Sequence, residues 1–184
     1  MSEEKGKWIT VNGTHIFVEK GQSVEDAVHK KFGTGAGQSQ SGDKKKTPTR
    51  KVVKVSLEAE IQKQFDKATP KERQKIAFDY IMKNLRGKYP AEDGRVVAIE
   101  KVGAKKITHD FGITKMRVVP KLGELIQAGT LIETKDVSHK IFKGFAYYKV
   151  HFQIGTEMYS AILNVGIREN GDSTLYEINQ FAKK

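Results

Sequence analysis

Apolar and polar positions alternate most sharply toward the end of the chain. Tyr148, Val150, Phe152 and Ile154 interleave with Tyr147, Lys149, His151 and Gln153. Gly155-Thr156 turns the chain, and Tyr159, Ala161, Leu163, Val165 and Ile167 alternate again. Asn170-Gly171-Asp172 then leads into a third stretch over 175–181. A period of two belongs to half-buried strands, whose side chains point to opposite faces in turn. The three stretches therefore predict an antiparallel meander with one buried face. Upstream the period becomes helical. Leu57, Ile61 and Phe65 follow Ser56 at four-residue spacing and predict a helix through about Ala68. Thr69-Pro70-Lys71-Glu72 is a second start signal, with a Thr cap, Pro in the first turn and Glu three residues after the cap. That helix carries Ile76, Ala77, Tyr80 and Ile81 and is expected to end near Gly87. Val96, Val97 and Ile99 predict a strand over 95–100, and Leu122, Leu125 and Ile126 a short helix closed by Gly129. Leu131 and Ile132 start another strand, while 108–117 follows neither period. Helices first and a contiguous sheet last predict an α+β fold.

The front of the chain is organised separately. Trp8, Ile9 and Val11 precede Asn12-Gly13, and Ile16, Phe17 and Val18 follow it. Asn-Gly between apolar runs is the strongest short hairpin signal, because both residues tolerate the positive φ of a type I′ turn. Ser23 caps a short helix through Val24, Ala27, Val28 and Phe32. One hairpin and one helix bury little surface, so 1–32 is expected to dock on something else. Residues 33–51 (GTGAGQSQSGDKKKTPTRK) form a flexible basic linker, leaving 52–184 as the main domain.

Composition narrows the partners. The 184 residues hold 33 Lys+Arg against 22 Asp+Glu, a net charge of +11. Such a field attracts polyanions. Cysteine is absent, so disulfides, thiolate nucleophiles and Cys-based zinc sites are excluded. No apolar run approaches a membrane span and the polar start lacks a signal-peptide core, so the expectation is a cytoplasmic protein without a membrane partner.

The open meander face carries Tyr147, Lys149, His151 and Gln153, with Ser160 and Asn164 from the next strand. This set suits an RNA phosphodiester: lysine neutralises phosphate, aromatic rings stack on bases and imidazole moves protons near neutral pH. An ordinary solvent-facing sheet side reads equally well. Five histidines are available. His15 and His29 fall in the front segment and are expected to be structural or exposed. His109 follows Lys105 and Lys106, His139 precedes Lys140 in a polar loop, and His151 lies on the open face. Metal chemistry finds no support in a His-x-x-x-His pair or a DxD cluster, and no cofactor is expected.

The stretch GKYPAEDGRVVAIEKVGAKKITH (87–109), followed by YYKVHFQIGTEMYSAILNVGIRENGDSTLYEINQF (147–181), resembles the phage-associated domains grouped with the barnase–EndoU–colicin–RelE nucleases. The likeness covers roughly 52–181. It implies N-terminal helices packed on a four- or five-stranded antiparallel sheet. It also implies metal-independent endoribonuclease activity of a phage or mobile-element toxin, cutting by 2′-OH attack to leave a 2′,3′-cyclic phosphate. The EndoU branch uses two histidines, a lysine and a Ser/Thr-x-Tyr, to which Thr174 and Tyr176 are similar. The resemblance thus implies a catalytic set of His109, Lys106, His139, Thr174 and Tyr176. Lys105, Lys140, Tyr147, Lys149, His151 and Asn164 complete it as substrate-binding residues. The segment WITVNGTHIFVEKGQS (8–23) is similar to the tail of phage head-morphogenesis (minor head) proteins. The implied partners are RNA, tRNA included, an acidic immunity protein or inhibitor, and a phage head protein, with virion association as a second location. The competing expectation is a non-catalytic module that binds nucleic acid or capsid during head assembly.

Overall fold

The computed structural model describes residues 7–11, 14–18, 50–110 and 112–184. The chain divides into two compact units, Met1–Thr47 and Pro48–Lys184. In the first, β1 (Lys7–Val11) and β2 (Thr14–Val18) pair antiparallel, with Val11 opposite Thr14. The predicted hairpin is therefore present, with a two-residue connection. The expected helix after Ser23, and nearly all of the expected linker, lie outside the described residues.

The second unit opens with β3 (Val52–Val55), α1 (Glu60–Lys67) and α2 (Pro70–Tyr80). The α1 helix starts three residues later than the sequence suggests, and Ser56 does not cap it: Ala59 occupies the cap with no side-chain bond. The α2 start is as predicted. Glu72 N–H donates to Thr69 Oγ1 at 3.3 Å, and Thr69 N–H donates back to Glu72 Oε2 at 2.8 Å. These bonds satisfy amide groups that a helix start otherwise leaves open. They also hold the Glu72 carboxyl below its usual range. A π turn (Ile81–Leu85) ends the helix, and β4 (Gly87–Pro90) and β5 (Val96–Ile99) follow. Then come α3 (Lys101–Ile107), α4 (Ile113–Val118) and α5 (Leu122–Ala128). The chain closes with β6 (Thr130–Asp136), β7 (Gly144–Ile154), β8 (Glu157–Ile167) and β9 (Ser173–Lys183).

The sheet corrects the expectation of four or five antiparallel strands. It has seven, ordered β3-β7-β8-β9-β5-β4 with β6 beside β7, and it is mixed. The meander β7-β8-β9 is antiparallel as the alternation predicts. However, β3 runs parallel to β7, and β5 runs parallel to β9. The physical reason is that alternation specifies which face a strand buries and not which neighbour it takes. Helices that intervene between β3 or β5 and the meander supply the long crossovers that parallel pairing needs.

One face of the sheet carries the core. Tyr148, Val150, Phe152, Leu163, Leu175 and Ile178 meet Phe65, Ile81, Ile107, Met116, Leu122 and Leu125 from the helices and turns. Each such side chain contributes about 1.5–3 kcal/mol when fully buried. The sheet curls far enough for Tyr148 Oη to donate to Asp93 in the β4–β5 turn, at 3.1 Å to Oδ2. The opposite, far face holds the residues that alternate with this core.

Candidate functional site at the β9 bulge

Two local departures from regular pairing build the site. First, β5 pairs with β9 only at Ser173 and Thr174, which leaves the rest of that β9 edge without a strand from β5. There α3 packs instead: a Cβ on Gly103 would overlap the carbonyl oxygen of Leu175. Glycine permits this close backbone approach. Second, the β8–β9 register shifts, with Val165 opposite Leu175 but Asn164 opposite Glu177. Tyr176 is thus the extra residue of a bulge, a device that re-aims side chains. It joins Val102, Lys105, Lys106 and His109 around a cavity of about 350 Å³. Lys105 and His109 also border a larger groove of about 870 Å³ against α2, walled by Thr69, Gln74 and Phe78 among others. Lys71, Glu72 and Lys75 also line the larger space, while Lys106 and Tyr176 line the smaller one.

Charge is concentrated around that cavity. Lys106 Nζ lies 3.8 Å from Glu177 Oε1, and among the described residues Lys105 makes no ion pair. Behind them Lys115 of α4 is buried, with Nζ 4.0 Å from Asp110 Oδ2. Burial pushes the Lys115 ammonium below its ordinary range, Asp110 and Glu177 oppose the shift, and Lys106 adds to it. Sequence reasoning missed Lys115 and Glu177. A lysine within an unassigned segment carries no signal, and the alternation predicts no role for Glu177 because it takes no account of the bulge.

The ring of Tyr176 also belongs to an aromatic cluster on the far face. His139 stacks on Phe142 at 5.3 Å between centroids and meets Tyr176 edge-on at 5.5 Å and Phe145 at 5.8 Å. Phe142 lies where a Cβ on Gly166 would sit, so the cluster depends on that glycine. Ile141 N–H donates to His139 Nδ1 at 3.2 Å, which leaves the proton of the neutral ring on Nε2. Tyr176 therefore stands between the ring of His139 and the cavity bordered by His109. Thr174 does not share this exposure. It is 1% exposed, and its hydroxyl donates to Glu100 Oε2 at 3.0 Å. Arg168 donates to the same oxygen at 2.7 Å while its guanidinium lies 5.9 Å from the Phe142 ring. This arrangement ties Thr174, at the start of β9, to Glu100 and through it to Arg168.

The remaining predicted residues fall elsewhere. Lys140 is exposed in the loop after His139. Tyr147 and Asn164 face each other in register, with Lys135 Nζ 5.8 Å from the Tyr147 ring. Asn164 Oδ1 is buried and has no hydrogen-bond partner among the described residues. Lys149 and His151 lie farther along β7. His151 is six residues beyond Phe145, or about 20 Å at strand rise. His15 falls in β2, and His29 lies outside the described residues. The residues expected to form one site thus occupy two places on the sheet.

Among the described residues, no group of three His, Asp or Glu side chains gathers as metal ligands would. No helix among them is long and apolar enough to cross a membrane. Comparison with curated proteins and with solved structures finds no match. The sequence model of large polyvalent protein-associated domain 3 matches residues 68–176, which run from just before α2 to the bulge residue Tyr176. Most of the chain falls in that match, and it belongs to the large polyvalent protein-associated domain 3 family.

Proposed function

We propose that the Pro48–Lys184 unit is a metal-independent endoribonuclease of the barnase–EndoU–colicin–RelE kind, with its reaction centred on Tyr176. One observation carries the reading: Tyr176 is flanked by His139 on one side and by a cavity holding His109, Lys105 and Lys106 on the other. Two imidazoles and two ammonium groups flanking one ring supply the kinds of group that transesterification of RNA uses. One histidine removes the 2′-OH proton as O2′ bonds to phosphorus. The other protonates O5′ as the P–O5′ bond breaks, leaving a 2′,3′-cyclic phosphate. Lys105 is the better placed of the two lysines to neutralise the phosphate oxygens, since Glu177 holds Lys106.

The test is incubation of labelled RNA with the full chain in EDTA. Cleavage to cyclic-phosphate ends is expected, falling roughly 10²–10⁴-fold in His109→Ala. RNA retained intact on the wild-type protein overturns the reading. It would favour instead a non-catalytic nucleic-acid-binding module, which the net charge of +11 supports without requiring a catalytic site.

A further inference from the structure

Along one edge of β7 the neighbouring strand changes. Pairing with β6 begins at Thr130 opposite Lys149, and pairing with β3 begins at Val52 opposite His151. The notch between the two strands opens a cavity of about 400 Å³ whose wall includes Arg50, Lys51, Thr130, Lys149 and His151. Lys184, just after β9, brings its ammonium within 3.2 Å of His151 Nδ1.

Four cations and an imidazole thus gather at one place. The cavity wall carries one carboxylate, Glu92, 3.8 Å from Lys51. Among the described residues neither Arg50 nor Lys149 makes an ion pair. Burial, followed by the fields of Lys184, Arg50 and Lys149, pushes the His151 imidazole below its ordinary range. Like charges held together this way repel one another, and an anion in the notch would offset that repulsion. Donation from Lys184 to Nδ1 leaves the neutral ring with Nε2–H as a donor, and Thr130 adds a hydroxyl.

We propose that this notch binds a backbone phosphate of the RNA, several nucleotides away from the bond cut beside Tyr176. The inference rests on the ribonuclease reading for the identity of the polyanion. His151 and Phe145 lie on the same far face of β7, about 20 Å apart. A single strand running along that face passes from the His139–Tyr176 cluster to the notch. The site then acts as an anchor that sets where a long RNA sits relative to the reacting groups.

The experiment uses the full chain carrying His109→Ala, so that RNA stays intact, with and without Arg50→Gln and Lys149→Gln. Both residues are exposed, and circular dichroism checks that the fold is kept. Binding of a 12-nucleotide single-stranded RNA is measured across salt concentrations. The expected result is a log–log salt slope shallower by about 0.7 in the double variant, from one fewer neutralised phosphate. In parallel, inorganic phosphate should raise the His151 pKa read by NMR, and should do so less in the double variant. An unchanged slope overturns the inference, even if phosphate alone moves His151, because the notch would then take free anions and not the RNA backbone. Absence of cleavage by the wild-type chain would instead remove the ribonuclease reading while leaving the slope change standing.

Discussion

Tyr176 owes its surroundings to one extra residue in β9. Without the bulge, strict alternation would send Tyr176 and Glu177 to opposite faces. With it, Tyr176 reaches both the His139 ring and the cavity of His109, and Glu177 reaches Lys106. The sequence presents Tyr176 as a candidate through its place two residues after Thr174. It does not show that Thr174 itself is sealed against Glu100. Tyr148 is a second residue whose chemistry comes from its surroundings. Burial pushes its hydroxyl up to about 12, with Arg95 opposing and Asp93 reinforcing the shift. A raised folded pKa means that the neutral hydroxyl is the favoured form. Its stabilisation is therefore complete below the ordinary value of 10.0 and is lost as pH rises toward about 12. Tyr148→Phe is expected to lower stability by about 1–2 kcal/mol at neutral pH through loss of the bond to Asp93. In urea melts the gap between wild type and variant should close between pH 10 and pH 12. A gap that stays constant across that window would show that the hydroxyl does not titrate as described.

The elements divide by how much of their reason is local. The α2 helix carries its own start signal, and the meander carries its own period, so both are legible in the sequence. The α3 helix is not. Its seven residues, KVGAKKI, include a central glycine that is unfavourable in a helix, and the segment forms because Ala104 and Ile107 reach the core. β4, GKYP, contains both Gly and Pro and pairs only with β5 at the end of the strand order, where Pro is tolerated. The dependence of α3 on close approach gives a direct expectation. Gly103→Ala places a methyl group on the Leu175 carbonyl, so helix and strand must separate. Thermal unfolding should show a loss of about 1–3 kcal/mol or more. Because α3 and the residues just after it carry Lys105, Lys106 and His109, RNA cleavage should fall with it. A Gly103→Ala protein as stable as wild type would mean that α3 does not lie where the packing puts it.

At the scale of the whole molecule, charge and curl act together. The net charge of +11 draws any nucleic acid, whatever its sugar. Cleavage by 2′-OH attack needs ribose. The full chain is therefore expected to bind a DNA strand within a few-fold of the matching RNA, weaken for both as salt rises, and cut only the RNA. Cutting of DNA at a comparable rate would contradict the proposed chemistry. The curl matters because it brings Asp93 of the β4–β5 turn to Tyr148 on β7, strands that are not neighbours in the sheet. By itself the sequence determined the hairpin at the front, the α2 start, the meander with its buried and open faces, and the basic character of the chain. Each of these depends on residues close together or on a plain sum of charges. Tertiary structure alone decided the two parallel pairings and the packing of α3 on the β9 edge. It also decided the bulge at Tyr176 and the separation of the expected site residues between that bulge and the His151 notch. Those depend on contacts between distant segments, and neither period nor composition records which segments will meet.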